Sequence, residues 1–123
     1  IDTLAREALA RSGADAVMLG RGAQGQPWVV GQIGAGLSDF DASPAPQGVE
    51  LTALIAEHYE DMLIEYGVAV GLRAARKHLE WYMQAAGVML DKPERNSFLN
   101  SDQPADVLRQ IASIFNREQR AAA

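Results

Sequence analysis

Gly13-Ala14-Asp15-Ala16-Val17-Met18-Leu19-Gly20-Arg21-Gly22-Ala23 is the stretch on which the reading of this chain turns. Residues 16–19 form a short continuous apolar run, bounded by Asp15 and Gly20. Such a run fits a strand buried on both faces, as in a parallel sheet. Upstream, residues 1–11 read as helix. Leu4, Ala8 and Leu9 recur at helical spacing, with Arg6, Glu7 and Arg11 off that face. Ser12-Gly13 stops this helix, glycine being suited to the left-handed position past a helix end. Helix, glycine turn, buried strand and glycine-rich turn together make one step of an α/β fold.

A strand running into a glycine-rich turn exposes backbone N–H groups on which an anion can sit. Gly20 and Gly22 let the backbone approach a phosphate closely, and Arg21 adds a charge-assisted bond to its oxygens. Closed (β/α)8 barrels place a phosphate site after strands seven and eight, and this segment has the grammar of the last strand. The plainer alternative is a tight strand-to-helix turn with Arg21 solvated. A whole barrel takes about 250 residues, whereas the chain has 123. Only a closing part of one fits. Pro27 suits the first turn of a short helix over 28–33, which Gly31, Gly34 and Gly36 weaken.

Residues 37–49 carry prolines, serines and a glycine without periodicity and read as a linker. Beyond them the pattern is helical. Leu51, Leu54, Ile55, Tyr59, Met62 and Tyr66 share one arc of a helix over 50–66, which Gly67 ends or kinks. Leu72, Ala75, Leu79, Tyr82, Met83 and Ala86 share the arc of a second helix over 68–86, closed by Gly87. A short helical turn is expected at 93–99. Ser101 or Asp102 is expected to cap a last helix, with Pro104 in its first turn and a stripe of Val107, Leu108, Ile111, Ile114 and Phe115. Its tail, 120–123, is expected to fray. Amphipathic helices of this kind hide their stripes in a small antiparallel bundle. The fold class is therefore mainly α: a C-terminal helical bundle (50–123) preceded by a helix, strand and glycine-turn unit (1–36) of the kind that closes a (β/α)8 barrel, its turn the candidate phosphate site.

The second helix carries a further pattern. At 3.6 residues per turn, Arg73, Arg76 and Lys77 fall on the side away from the apolar arc. Trp81 flanks them one turn beyond Lys77, with His78 nearby. A cationic ridge with a flanking indole suits RNA, charges neutralising phosphates and the ring stacking on a base. The alternative is an ordinary solvated face on which Glu80 pairs with Arg76. His58, on the apolar arc of its own helix, reads as a hydrogen-bonded boundary histidine. Glu57, Glu60, Asp61 and Glu65 read as a solvated face and not as a metal site.

Composition limits the function classes. An apolar fraction of 48% fits a chain with a core. The net charge of −5 argues against nucleic-acid binding by the chain as a whole, so any RNA contact has to be local. Without cysteine there is no disulfide, thiolate metal site or thiol catalysis in these residues. No apolar run approaches the ~20 residues of a membrane span. The start lacks a signal-peptide core and an initiator methionine, and reads as the inside of a longer protein.

ADAVMLGRGAQGQPW (14–28) resembles the closing segment of the tRNA-dihydrouridine synthase barrel. GLRAARKHLEWYMQ (71–84) resembles the Arg-x-x-Arg-Lys-His-x-x-Trp-Tyr helix of the same family, particularly its bacterial B-type branch. The resemblance covers about residues 1–90. It implies a C-terminal part of an FMN-dependent enzyme that reduces uridine in tRNA to 5,6-dihydrouridine with NADPH as reductant. The family's catalytic cysteine and most of its flavin cradle are missing from this chain, which is expected to be inactive alone. Carried over, Gly20, Arg21 and Gly22 hold the FMN phosphate, while Arg73, Arg76, Lys77, His78 and Trp81 meet tRNA. The family reading further implies a cytoplasmic enzyme, monomeric when whole, without membrane or DNA partners; in a fragment, residues 1–35 are expected to be poorly ordered, re-packed on the bundle or paired with another copy. A stand-alone helical RNA-binding module and the end of another phosphate-binding flavin barrel are the alternatives.

Overall fold

The computed structural model describes residues 2–38 and 43–122, with side chains over 3–38 and 43–116. Ile1, Ala123 and residues 39–42 of the expected linker lie outside the described residues. The elements are α1 (Asp2–Ser12), a 3-10 turn (Arg21–Ala23), α2 (Val29–Leu37), α3 (Gly48–Tyr66), α4 (Val68–Ala86), α5 (Lys92–Asn100) and α6 (Pro104–Ala122). They fall into two compact units, Ile1–Ala45 and Pro46–Ala123.

In the first unit α1 ends where expected. Gly13 takes a φ of 70°, and its N–H bonds the Leu9 carbonyl at 3.1 Å. The packed face of α1 differs from the expected one. It centres on Ala5, which joins Val29 and Ile33 in the core, while Leu4 and Ala8 are exposed. Two short helices cover only one narrow stripe of each other, and the small Ala5 side chain lets them approach.

The expected strand at 16–19 does not form: among the described residues there is no strand. Val17 and Leu19 pack on the Ala5–Val29–Ile33 cluster, with Trp28 and Leu37, while Met18 is 93% exposed. The segment is thus covered on one side and not on both. A strand is defined by ladder bonds to a neighbour, and this segment lies on helices instead.

Helix α2 runs through Gly31, Gly34 and Gly36 to Leu37, farther than the expected 28–33. Helical glycines cost about 1 kcal/mol each. Burial of Val29 and Ile33, one turn apart, offsets this at about 1.5–3 kcal/mol per side chain. Arg6 also donates to the Gly36 carbonyl, and Gln32 Nε2 donates to the Ser43 carbonyl at 3.1 Å.

In the second unit α3 and α4 are joined by Gly67 alone, at φ 79°. Gly71 lies against Met62 and Leu63, while His58 meets His78 and Tyr82, so the two helices run antiparallel. Gly71 is where they come closest. A Cβ there would sit 2.8 Å from the Met62 carbonyl oxygen and 2.9 Å from the Leu63 Cα. Helix α3 also packs on α6, and α5 touches both α4 and α6. Thr52 Oγ1 donates to Asn116 Oδ1 at 3.0 Å, tying α3 to α6. The core is Ile55, Tyr59 and Met62 from α3; Ala75, Leu79, Tyr82 and Met83 from α4; Phe98 from α5; and Val107, Ile111, Ile114 and Phe115 from α6. At the ends of the expected arcs, Tyr66 and Ala86 are exposed.

Helix ends follow the sequence closely. At the end of α4, Gly87 is left-handed, its N–H bonds the Gln84 carbonyl and the Val88 N–H bonds the Met83 carbonyl, the double closure of a Schellman turn. Asp91 caps α5 by accepting the Glu94 N–H at 2.9 Å, with Pro93 in the first turn. Neither expected residue takes the cap position of α6, which falls on Gln103 with its carbonyl accepting the Val107 N–H; Ser101 instead ends α5. Its Oγ accepts the Gln103 N–H and donates to Asp106 Oδ2. The backbone over 120–122 continues α6, where fraying is expected from the sequence.

Gly71 supports a direct test. Alanine raises helix propensity by about 1 kcal/mol, so an ordinary helical glycine is improved by it. At Gly71 the added carbon strikes backbone, and Gly71→Ala is expected to lower stability by about 1–3 kcal/mol. Urea unfolding followed by helical circular dichroism checks this; an unchanged or raised midpoint contradicts the close approach.

Candidate nucleic-acid and phosphate sites

The glycine turn lies in the first unit. It is closed by Ala23 N–H to the Gly20 carbonyl at 3.0 Å, Gln24 N–H to the Arg21 carbonyl at 3.1 Å, and Gln26 Nε2 to the Gly22 carbonyl at 2.9 Å. These bonds consume carbonyls. The amides of Gly20, Arg21 and Gly22 have no partner among the described residues. Arg21 is exposed and pairs with no carboxylate among them. A Cβ at Gly20 or Gly22 would meet nothing within 4 Å, so no internal packing demands glycine at either position. Free amides, a free guanidinium and open space are what a phosphoryl group needs.

The ridge lies on α4. Arg73 and Lys77 are exposed, and Arg76, His78 and Trp81 are half-buried. Neither Arg73 nor Lys77 has an acidic partner among the described residues, and the Arg76 Nε is buried without a hydrogen bond. The carboxylate that could neutralise them is Glu80, placed at i,i+4 from Arg76. It pairs instead with Arg95 of α5. The fork of Arg95 thus withdraws the acid, and three cations keep their charge for another anion.

Beside the ridge a line of rings runs from the core outwards. The Tyr82 hydroxyl lies 2.8 Å from His58 Nδ1. The His58 ring meets the His78 ring edge-on, with centroids 4.8 Å apart, and His78 meets Trp81 edge-on at 5.0 Å. Burial pushes the Tyr82 hydroxyl up to about 12, so it stays protonated. Burial also lowers His58, opposed in part by Asp61, and it lowers His78, helped by His58 itself. Both imidazoles are thereby held neutral. Reading His58 as a hydrogen-bonded boundary residue matches this geometry. Glu57, Glu60, Asp61 and Glu65 are exposed, and no metal-holding group of side chains occurs among the described residues.

Arrangement brings Arg73, Arg76, Lys77, His78 and Trp81 onto one helix, and places Gly20, Arg21 and Gly22 on one turn of the other unit. Arg95 and the link from His58 to Trp81 are additions that the sequence does not declare. The His58 link had a signal: counted outward from Gly67, positions 58 and 78 fall nearly opposite in an antiparallel pair. The Arg95–Glu80 pair spans a turn and a cap, and had none.

The family model for dihydrouridine synthases matches residues 3–118. The chain belongs to the dihydrouridine synthase family. Among its curated relatives is a probable tRNA-dihydrouridine synthase of Rhodobacter capsulatus, 44% identical over 117 residues, which cover 95% of this chain and 35% of the relative. One of Rickettsia conorii is 39% identical over 111 residues, covering 90% and 33% respectively. The tRNA-dihydrouridine synthase B of Pseudomonas aeruginosa is 37% identical over 79 residues, covering 64% and 24%. The chain thus spans about a third of the length of the first two of these relatives.

The lowered histidines give a pH dependence with a definite sign. In the folded chain the two imidazoles bind protons less readily than in the unfolded one, where their ordinary value is 6.5. The stability that neutral His58 and His78 contribute is fully present above 6.5. It is lost as the pH falls from there through their lowered values. Between about pH 7 and pH 5 the parent is therefore expected to lose more stability than a His58→Gln/His78→Gln variant. Urea midpoints at each pH decide it, and parallel losses in the two proteins contradict the assignment.

Proposed function

We propose that this chain serves a flavin-dependent enzyme that reduces uridine in tRNA to 5,6-dihydrouridine. Its first unit grips the cofactor phosphate, and its second unit carries the RNA-facing surface. Family membership supports the reaction class, and the names of the relatives cited above support tRNA as substrate. The single observation that carries the division of labour is the uncompensated charge on α4, where Glu80 is diverted to Arg95.

The residues present fit one part of FMN and no more. The amides at 20–22 and the Arg21 guanidinium suit its phosphoryl group, whose charge they balance. FMN, when bound, supplies the hydride that saturates the base, with NADPH as the reductant that restores it. This chain has no cysteine to donate a proton to the base.

Arg73, Arg76 and Lys77 act by neutralising tRNA phosphates, and their strength falls with added salt. They position the RNA and do not read its sequence. A base has to leave its stack to reach a flavin, and a fixed grip on the backbone nearby helps to hold the opened form. The net charge of −5 fits a surface on which binding is confined to one ridge.

The test is chemical. Deleting the gene that encodes this chain is expected to remove dihydrouridine from at least one position of cellular tRNA, read by mass spectrometry of digested tRNA. Returning the gene restores it. A copy carrying Arg73→Ala and Lys77→Ala is expected to restore it more slowly by about tenfold, since two phosphate contacts are lost. Dihydrouridine unchanged at every position in the deletion strain would overturn the proposal.

A further inference from the structure

His58 lies on α3, away from the ridge, and yet it stands in the line of rings that ends there. Tyr82 is 2% exposed, and its protonated hydroxyl needs an acceptor. His58 Nδ1, at 2.8 Å, is that acceptor, so the neutral ring carries its proton on Nε2. The bond fixes the His58 ring in the α3–α4 interface. The fixed ring presents itself edge-on to His78, and His78 edge-on to Trp81, at interplanar angles of 69° and 85°. Edge-to-face contacts of this geometry are the favoured arrangement of aromatic pairs, and each shifts a rotamer population by about two- to tenfold. A half-buried indole beside Lys77 would otherwise sample several rotamers.

We propose that His58 is a positioning residue for the RNA contact: anchored by the Tyr82 hydroxyl, it sets His78, which holds the Trp81 indole beside Lys77 for stacking on an unpaired base. This rests on the reading of α4 as the tRNA face. Stacking of a base on an indole tolerates every base. The line of rings therefore adds affinity without sequence preference. The groups bearing on the two imidazoles are Asp61 on α3 and Tyr82 on α4, together with each other. A cation on either ring would face the other at 4.8 Å, and one on His58 would turn the Tyr82 hydroxyl from donor to acceptor.

The chain has two tryptophans, so Trp28→Phe leaves Trp81 as the sole reporter. In that background two substitutions separate the roles of His58. His58→Asn keeps an acceptor for the Tyr82 hydroxyl and removes the ring. His58→Phe keeps a ring against His78 and removes the acceptor. Affinity for bulk tRNA at low salt, Trp81 fluorescence anisotropy decay and thermal melting are measured together. His58→Asn is expected to bind tRNA about fivefold more weakly, with faster local indole motion and a melt close to the parent's. His58→Phe is expected to regain part of the affinity and of the slow indole, because its ring still meets His78 but without the Tyr82 anchor. Combining His58→Asn with Trp81→Ala is expected to add nothing beyond Trp81→Ala alone.

Lys77→Ala separates the two levels of the argument. If Lys77→Ala weakens binding while His58→Asn changes neither affinity nor indole motion, the positioning role is overturned and the RNA face stands. If the chain binds no tRNA, or Lys77→Ala and His58→Asn both leave affinity unchanged, both fall. Should His58→Asn melt early, the comparison is made well below its melting temperature, with both variants folded: weaker binding and faster indole motion in His58→Asn than in His58→Phe support the proposal, and equal affinity and indole motion in the two overturn it.

Discussion

Helices α3 and α4 can touch only because position 71 has no side chain. The Cβ missing there would lie inside contact distance of the Met62 carbonyl and the Leu63 backbone. With the backbones this close, the helix pair has a single register. Tyr59 and Met62 of α3 and Ala75 of α4 are buried together in the core, and His58 arrives beside His78 and Tyr82. Everything outward of the interface inherits that register. The opposite side of α4 carries exposed Arg73 and Lys77 and half-buried Arg76, because its inner side is committed to Ala75, Leu79 and Tyr82. One missing methyl thus links core packing to the electrostatics of the outer face.

Charge on that face is a matter of local accounting. The chain is acidic as a whole, with a net charge of −5. The acids of α3 lie on its exposed side, and Glu80, the acid within the ridge, is bound by Arg95. Exposed ion pairs contribute little to stability, of order 0–1 kcal/mol. The Arg95–Glu80 pair matters more for what it removes, an intrahelical partner for Arg76. In the first unit the turn at 20–22 spends its carbonyls on closing itself and leaves amides and Arg21 free. Both places offer positive charge without an internal acceptor, which is the common physical basis of the two proposed roles.

Much of the helical unit was legible in the sequence, and the reasons are local. The stripes of α3, α4 and α6 repeat at helical spacing, Gly67 and Gly87 stand where a chain must take positive φ, and Asp91 and Pro104 mark helix starts. What failed to be legible depends on neighbours. Residues 16–19 have the composition of a strand, but a strand needs a ladder partner, and Val17 and Leu19 pack on α1 and α2 instead. Gly71 in a helix reads as a weak point until its contact with α3 is known. Arg95 and Glu80 are separated by the Gly87 turn and the Asp91 cap, so no spacing rule joins them. The glycine–arginine turn at 20–22 and the cations of α4 were legible as residue patterns; the phosphate and RNA roles given to them are the proposals made above.

The central claim is that the outer face of α4 is where RNA lies. Its lysine content makes that claim directly measurable, since the chain carries Lys77 on the ridge and Lys92 at the start of α5. Brief acetylation with and without tRNA at low salt, followed by peptide mass spectrometry, reports each amine separately. The account predicts that tRNA protects Lys77 several-fold and Lys92 far less, and that added salt erases the difference. Equal reactivity of Lys77 with and without bound tRNA would contradict it.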